Sequence, residues 1–432
     1  MKLKYLIIAL FISLQASAQV PAPAPLQNKP ILLTGATLHV GNGTVIEKAA
    51  VAFDKGKIIY AGSASSAPTA TGYEQIDVTG QHIYPGLIQP NTTLGLNEIA
   101  SVRATLDQQE VGQINPNVRA MVAYNTDSDV LPTIRANGVL LLQVTPVGGT
   151  ISGTSSVMHL DAWNWEDAVV KADDGMHLYW PPLLYQTQSE TTPAFTEAQR
   201  NREKLLQDLD KLFKEAAAFR LGTPNKENFK LTALKGLFDG TKRLYLHADN
   251  AKDIIESVRF AQKNGVKQIV LTGGRDAWRI TDFLRENNIP VILSGVHALP
   301  GLAGDDTDLA YKTPFLLQQA GILYGLSYST SLHGVRNLPF IAGTAVAHGL
   351  TKEQALMTIT VNTAKILGID TQVGTLETGK DATLVVSAGD LLDMRTNQVT
   401  QAYIQGRRLV LTDKQKYLYQ KFKAKYQAGE AK

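Results

Sequence analysis

The sequence predicts an α/β protein: a TIM-type (β/α)8 barrel with a small composite β-sandwich domain built from both chain ends. Three observations predict it. Across residues 83–370, short apolar runs alternate with helical patterns, the order expected of parallel strands joined by helical crossovers. Short β-type runs punctuated by turns cluster before and after that stretch. The chain has 432 residues, 44% of them hydrophobic, which is enough core material for one large barrel and an accessory domain.

Taken in order, residues 1–18 read as a signal peptide. Lys2 and Lys4 precede an apolar run over 6–14, and Ala16-Ser17-Ala18 is a small-x-small cleavage site. The expectation is an exported protein, periplasmic or secreted after cleavage near Ala18. The run is too short for a stable membrane span. The chain has no cysteine, which removes disulfides, thiolate metal sites and cysteine nucleophiles. A net charge of +3, without a basic run interleaved with aromatics, gives no footprint for nucleic acid.

A Pro-rich leader follows at 19–29. Residues 30–82 form the first part of the β-domain, with runs at 31–33, 45–53, 57–60 and 75–78. Gly41-Asn42-Gly43 and Asp54-Lys55-Gly56 supply hairpin turns. The clearest barrel strands are 139–144, 243–247, 268–272, 290–294 and 322–327, and helical patterns cover 196–219, 251–264 and 278–287. Residues 150–190 are rich in Gly, Trp, Tyr and Pro and have no clean period, so their strands stay unassigned.

Thr351-Lys352-Glu353-Gln354 is a capping box that opens a helix running to Leu367 and stopped by Gly368. Residues 371–411 return to β-type sequence and complete the first domain. In the basic tail, 412–432, Leu418, Phe422 and Tyr426 form a helical stripe. It is expected to dock on its own domain; the other readings are a dimer helix or a membrane-surface helix.

Tyr84-Pro85-Gly86-Leu87-Ile88 followed by Gln89, Asn91 and Thr93 resembles the first barrel strand of the amidohydrolase superfamily. Leu32-Leu33-Thr34-Gly35-Ala36-Thr37-Leu38, Ala364-Lys365-Ile366-Leu367-Gly368 and Val373-Gly374-Thr375-Leu376-Glu377 extend the likeness over roughly residues 30–411. The subgroup it resembles is the exported, imidazolonepropionase-like one. The resemblance implies a metal-dependent hydrolase fold acting on carbon–nitrogen bonds other than peptide bonds, with zinc in active relatives. Such a metal lowers the pKa of bound water to about 7 and polarises the scissile carbonyl.

The resemblance also implies ligands at the strand ends, and the matching positions depart from the pattern. Gln89, Asn91 and Thr93 stand where an acid and two histidines belong. Thr272 or Gly273 stands at the sixth-strand histidine, and Ser327, Tyr328 and Ser329 at the eighth-strand Asp. His247 is the one retained ligand position, and Lys171 is the nearest fourth-strand lysine. An amide and hydroxyls are poor zinc donors. No metal or other cofactor is therefore expected, and the chain is a pseudoenzyme candidate.

Candidate catalytic residues are His247 and Asp249. Gln89, Asn91, Thr93, Thr272, Gly274, Arg275, Asp276, His297, Ser327, Ser329 and Arg336 are expected to line the pocket. Gly273-Gly274-Arg275-Asp276 is either an anion site or a tight turn with Asp276 as N-cap. The acidic run Asp305-Asp306-Thr307-Asp308 reads as a solvated loop or as a replacement cation site. Trp163-Asn164-Trp165 and Tyr179-Trp180 read by default as packing aromatics, with stacking on a ligand as the alternative. His39, His82, His159, His177 and His348 read as structural. Two functions remain open: a metal-free binder of a small amide- or peptide-like ligand, or partner of an active paralogue, and an active hydrolase of cyclic amides or dipeptide-like substrates with a rebuilt site. A homo-oligomer is also compatible.

Overall fold

The computed structural model describes residues 22–183, 193–222, 228–301, 304–328 and 332–430. The expected signal peptide and the first residues of the leader lie outside these, as does Ser329.

Five strands come first: β1 (Ile31–His39), β2 (Val45–Asp54), β3 (Lys57–Ser63), β4 (Glu74–Asp77) and β5 (His82–Pro85). Lys55 and Gly56 take positive φ, 49° and 79°, which closes the β2–β3 hairpin. β1 pairs β4 along Ile31–Thr34 and β5 along Thr37–Leu38, so one of its neighbours changes at Gly35. Three strands from the other end of the chain, β14 (Leu384–Ser387), β15 (Val399–Ile404) and β16 (Arg407–Arg408), join the far side of β5. All eight form one hydrogen-bonded sheet around Leu33, Leu38, Phe53, Ile83, Leu384 and Tyr403.

The barrel between them has eight strands: β6 (Leu87–Thr92), β7 (Val139–Val144), β8 (Ile151–His159), β9 (Val169–Tyr179), β10 (Arg243–Ala248), β11 (Ile269–Gly273), β12 (Val291–Ser294) and β13 (Tyr324–Ser327). Seven run parallel. β8 runs antiparallel to both β7 and β9, so this quarter is a meander without helical crossovers. It is the stretch whose strands the sequence left unassigned. Bulges interrupt its register, and Asp173 sits at φ 50°, which breaks the alternation a strand normally shows. The Gly-rich stretch before β8 is held beneath residues 106–115 by Val147 N–H to Gln108 O (2.8 Å) and Thr150 N–H to Gln113 O (2.8 Å).

Long helices, Pro193–Leu221, Phe229–Asp239, Ala251–Lys263, Leu309–Gln319 and Leu338–Ala347, cover the other strands. The capping box forms with both its bonds. The helix it opens stops at Thr358 and restarts at Val361. The break frees the Ile359 carbonyl to accept the Ile88 N–H at 2.9 Å.

β13 and β6 share no backbone ladder among the described residues. Pro90 cannot donate one. The buried Gln89 amide spans the seam instead. Its Nε2 donates to Pro90 O (2.6 Å), Ser327 Oγ (3.0 Å) and Tyr328 O (3.1 Å), and its Oε1 accepts Tyr328 N–H (3.2 Å).

Because β8 is reversed, its end delivers Asp161 to the face opposite the mouth. There Asp161 binds Arg135 (2.5 Å), Arg407 of β16 (2.9 Å) and the Ala24 N–H (3.0 Å). One buried carboxylate thus ties leader, barrel and small sheet together.

The tail helix, Lys414–Glu430, forms but does not dock as expected. Every described side chain from Lys414 to Gln427 is exposed.

Replacing Asp161 by Ala leaves Arg135 buried without its counter-ion and should cost about 3–5 kcal/mol in urea unfolding; a loss below about 1 kcal/mol contradicts the clamp. Gln89→Leu should cost about 1–3 kcal/mol through the seam groups it orphans, and an unchanged unfolding midpoint would count against it.

Candidate functional site

Parallel strands carry their functional side chains at their C-terminal ends. The register puts Tyr179, His247 and Thr272 side by side on β9, β10 and β11. Together with Asn91, Trp180, Asp249, Asn250, Asp253, Arg275 and Ser294 they line a cavity of about 420 Å³ at the mouth.

His247 is tied to a second imidazole. Its Nε2 lies 2.9 Å from His177 Nδ1. Tyr179 stacks on His247 at 4.0 Å and Tyr245 stacks on His177 at 4.7 Å. One ring of such a pair donates and the other accepts, so the accepting ring is neutral. Burial pushes His247 down to about 3. Burial, and then the neighbouring His247, hold His177 well below the usual imidazole range. His177 Nε2 is buried without a partner.

A polar network supports this layer. Asp174, fully buried, accepts Tyr245 OH (2.6 Å), Ser155 Oγ (2.7 Å) and Gln143 Nε2 (2.8 Å). Burial raises its carboxyl above the usual range against these bonds, which pull it down. Gln143 Oε1 accepts the Asn91 N–H at 3.0 Å. Asn91 itself turns to φ 50°. The register of β6 shifts there, and Thr93 does not reach the cavity.

The rim is held by helix-start groups. Asp253 Oδ1 accepts Leu183 N–H (2.9 Å) and its Oδ2 accepts Asn250 Nδ2 (3.1 Å). Asp249 Oδ1 accepts the Arg275 N–H at 3.2 Å, and the Arg275 guanidinium bonds Asn250 Oδ1. Gly273 has φ 98°, and a Cβ there would stand 2.8 Å from Asp249 Oδ1. Only glycine lets the two loops approach this closely.

Of the residues expected at the mouth, His247, Asp249, Asn91, Thr272 and Arg275 line the cavity. The other described ones are placed elsewhere. Gln89 and Ser327 are consumed in the seam. Gly274 is buried in the turn and donates its N–H to Ala248 O. Asp276 does not cap its own helical turn; its Oδ2 accepts the Ala251 N–H (3.3 Å) at the start of the neighbouring helix. His297 is exposed and bonds Thr344 Oγ1 at 2.7 Å. Arg336 is exposed on the turn His333–Asn337, which packs on helix Leu131–Arg135.

Lys171 donates to Leu367 O (3.0 Å) and Gly368 O (3.3 Å) at a helix end. Lys312 lies 2.7 Å from both Asp306 and Asp308 and fills the place a bound cation would take in the acidic loop. The sequence missed His177, Tyr179 and Trp180 as site residues. The signal that finds them is the register of β9 against β10.

Comparison with known proteins agrees with this architecture. The amidohydrolase family matches residues 320–409. An imidazolonepropionase of Mesorhizobium japonicum is 26% identical over 79% of this chain and 87% of its own length. A crystal structure of an amidohydrolase from Thermotoga maritima superposes with a TM-score of 0.77 at 24% identity, covering 88% of this chain and 99% of that one. Residues 320–409 thus match the amidohydrolase family, and the chain as a whole shares the fold of these proteins. A prolidase complexed with N-methylphosphonate-L-proline shares the fold at lower similarity, with a TM-score of 0.53, 14% identity, and coverage of 88% and 99%.

For a barrel of the amidohydrolase fold this mouth has an unusual donor set. Zinc asks for imidazole, carboxylate or thiolate in tetrahedral array. Here the cavity lining presents an amide, hydroxyls, one imidazole whose Nε2 is already bonded to His177, and the carboxylates of Asp249 and Asp253, which accept N–H groups of Arg275, Leu183 and Asn250. Among the described residues no three His, Cys, Asp or Glu side chains come together in a metal-binding group. The residues present do not fit the resident zinc that the superfamily implies.

The imidazole pair has a measurable consequence. A histidine with a depressed folded-state pKa stays neutral in the native state, while the unfolded chain takes a proton below about 6.5. The stability it contributes is complete above about pH 6.5 and is lost as pH falls towards the folded value. The unfolding free energy from urea titration should drop between pH 7 and 5, by up to about 1.4 kcal/mol per pH unit for each such histidine. His177→Asn should flatten that slope by about one proton; an unchanged slope would show that the pair is not buried neutral.

Proposed function

We propose that this amidohydrolase, from a family of hydrolases of carbon–nitrogen bonds, uses its mouth to bind a small amide- or peptide-like ligand without metal chemistry. The observation that carries the reading is the His177–His247 bond: the retained ligand-position imidazole is engaged as half of a neutral, stacked pair.

The cavity offers a consistent set of contacts. The Tyr179–His247 stack is a flat wall for a ring or a planar amide. Thr272 Oγ1 is buried without a partner and supplies a hydroxyl from the wall. Asn91 adds an amide. Arg275 at the rim is placed to pair with a ligand carboxylate. A cavity of about 420 Å³ suits a small molecule. Neutral imidazoles and a carboxylate held by backbone N–H groups orient such a ligand; none of them generates hydroxide at neutral pH.

An active, rebuilt hydrolase would need three or more of His247, Asp249, Asp276 and His297 to converge. His297 instead bonds Thr344, and Asp276 caps a helix. The signal-peptide pattern at 1–18 supports export to the periplasm or beyond, so the ligand would be met outside the cytoplasm.

The test combines elemental analysis with calorimetry on the purified chain. After growth in zinc-replete medium, zinc should stay below about 0.1 equivalent, against the roughly one equivalent of a built zinc site. Imidazolonepropionate-like cyclic amides and proline dipeptides are the first ligands to titrate. Binding should weaken at least about tenfold in Arg275→Ala, the scale of one lost charged hydrogen bond. About one tightly held equivalent of zinc together with turnover of any of these compounds overturns the reading.

A further inference from the structure

The tail helix Lys414–Glu430 carries an organised surface that nothing in the chain covers among the described residues. Its first turn is fixed. Asp413 Oδ1 accepts the Lys416 N–H at 2.8 Å, and Gln415 Oε1 accepts Thr133 Oγ1–H at 2.8 Å. Beyond that turn the helix stands clear of the barrel, and Phe422 and Tyr426 are 47% and 65% exposed.

At about 100° per residue, Leu418, Tyr419, Phe422 and Tyr426 share one face. Lys414, Lys421 and Lys425 run along one border of that face, and Lys416 and Lys423 along the other. Glu430 is the only acidic residue in the helix. The lysine stems fold against the stripe: Lys423 Nζ lies 5.8 Å from the Tyr419 ring and Lys425 Nζ 5.4 Å from the Tyr426 ring.

This arrangement selects its occupant. Two copies packed stripe to stripe would bring two unbalanced lysine borders together, which like-charge repulsion opposes. An anionic lipid surface satisfies both parts. The apolar face enters the boundary between headgroups and acyl chains, tyrosines sit at headgroup level, and lysines on both borders extend to phosphates. At 1.5 Å per residue a helix of 17 residues covers about 25 Å of surface. No helix among the described residues is long and apolar enough to cross a membrane, so the contact is in-plane.

We propose that Lys414–Glu430 is an interfacial anchor that holds this protein on bilayers rich in anionic phospholipid, with Leu418, Phe422 and Tyr426 inserted and the flanking lysines on phosphate groups. The proposal is independent of what the barrel mouth binds.

The full chain is sedimented with phosphatidylglycerol-containing vesicles and with pure phosphatidylcholine vesicles. Binding should be at least about tenfold tighter to the anionic vesicles and should be released near about 0.5 M salt. The combined variant Lys416→Gln, Lys421→Gln, Lys423→Gln should bind about a hundredfold more weakly, roughly fivefold per lysine. Leu418→Ser with Phe422→Ser should also weaken binding while the far-ultraviolet circular dichroism and ligand binding at the mouth stay unchanged. Equal binding to both vesicle types, or vesicle binding unaltered in these variants, overturns the proposal. So does a doubled mass in light scattering that Phe422→Ser abolishes, which would give the face to a second copy. Tighter binding to polyglutamate than to anionic vesicles would assign it to an acidic polypeptide and equally overturn the anchor.

Discussion

The barrel closes through a side chain. Between its first and last strands the usual ladder is missing among the described residues, and Pro90 removes the N–H that would begin one. A carboxamide is the side chain suited to the gap, because it donates and accepts at once, as a peptide group does. Gln89 therefore stands in for backbone at the seam. Gln143 does the same one strand away for the N–H of Asn91, stranded by its left-handed turn. These two amides set the height and direction of β6 at the mouth, and with it the position of Asn91 in the cavity wall.

The same substitution of neutral for charged groups governs the site. A metal centre needs lone pairs converging on one point. Here the strand ends direct their polar atoms at one another: imidazole to imidazole, Asp249 to a backbone N–H, Asp253 to the chain leaving β9. What is left facing the cavity is a stacked aromatic wall, a buried hydroxyl and a rim guanidinium. On the function proposed above, that inventory serves to recognise shape, hydrogen bonds and a carboxylate.

Much of the scaffold was legible in the sequence because its signals are local. The capping box at Thr351, the stop at Gly368 and the Asp54-Lys55-Gly56 turn each depend on neighbours within a few residues, and each forms as expected. The β8–β9 meander was not legible, since its bulges break the alternation on which a strand is recognised. His177 lies in that stretch, and it becomes a site residue only through its register with Tyr245, which no short-range pattern displays. His297 and Arg336 follow strand ends in the chain, yet neither the turn that carries the first nor the 3-10 helix that carries the second brings it into the cavity lining. The stripe of the tail helix was visible, but docking needs a complementary surface, and an amphipathic pattern does not say where that surface is.

The interleaving of the two chain ends has a consequence for how the molecule is made. β5 is flanked by β1 on one side and by β14 on the other, and β14 follows the whole barrel in the chain. During synthesis from the N-terminus, the outer rim of β5 waits without its neighbour until the barrel has been produced. Long, flat, unpaired rims recruit strands from other molecules. Nature's remedy is visible in β5 itself: it is four residues long and ends in Pro85, so a nascent chain exposes little that a stray strand could pair with.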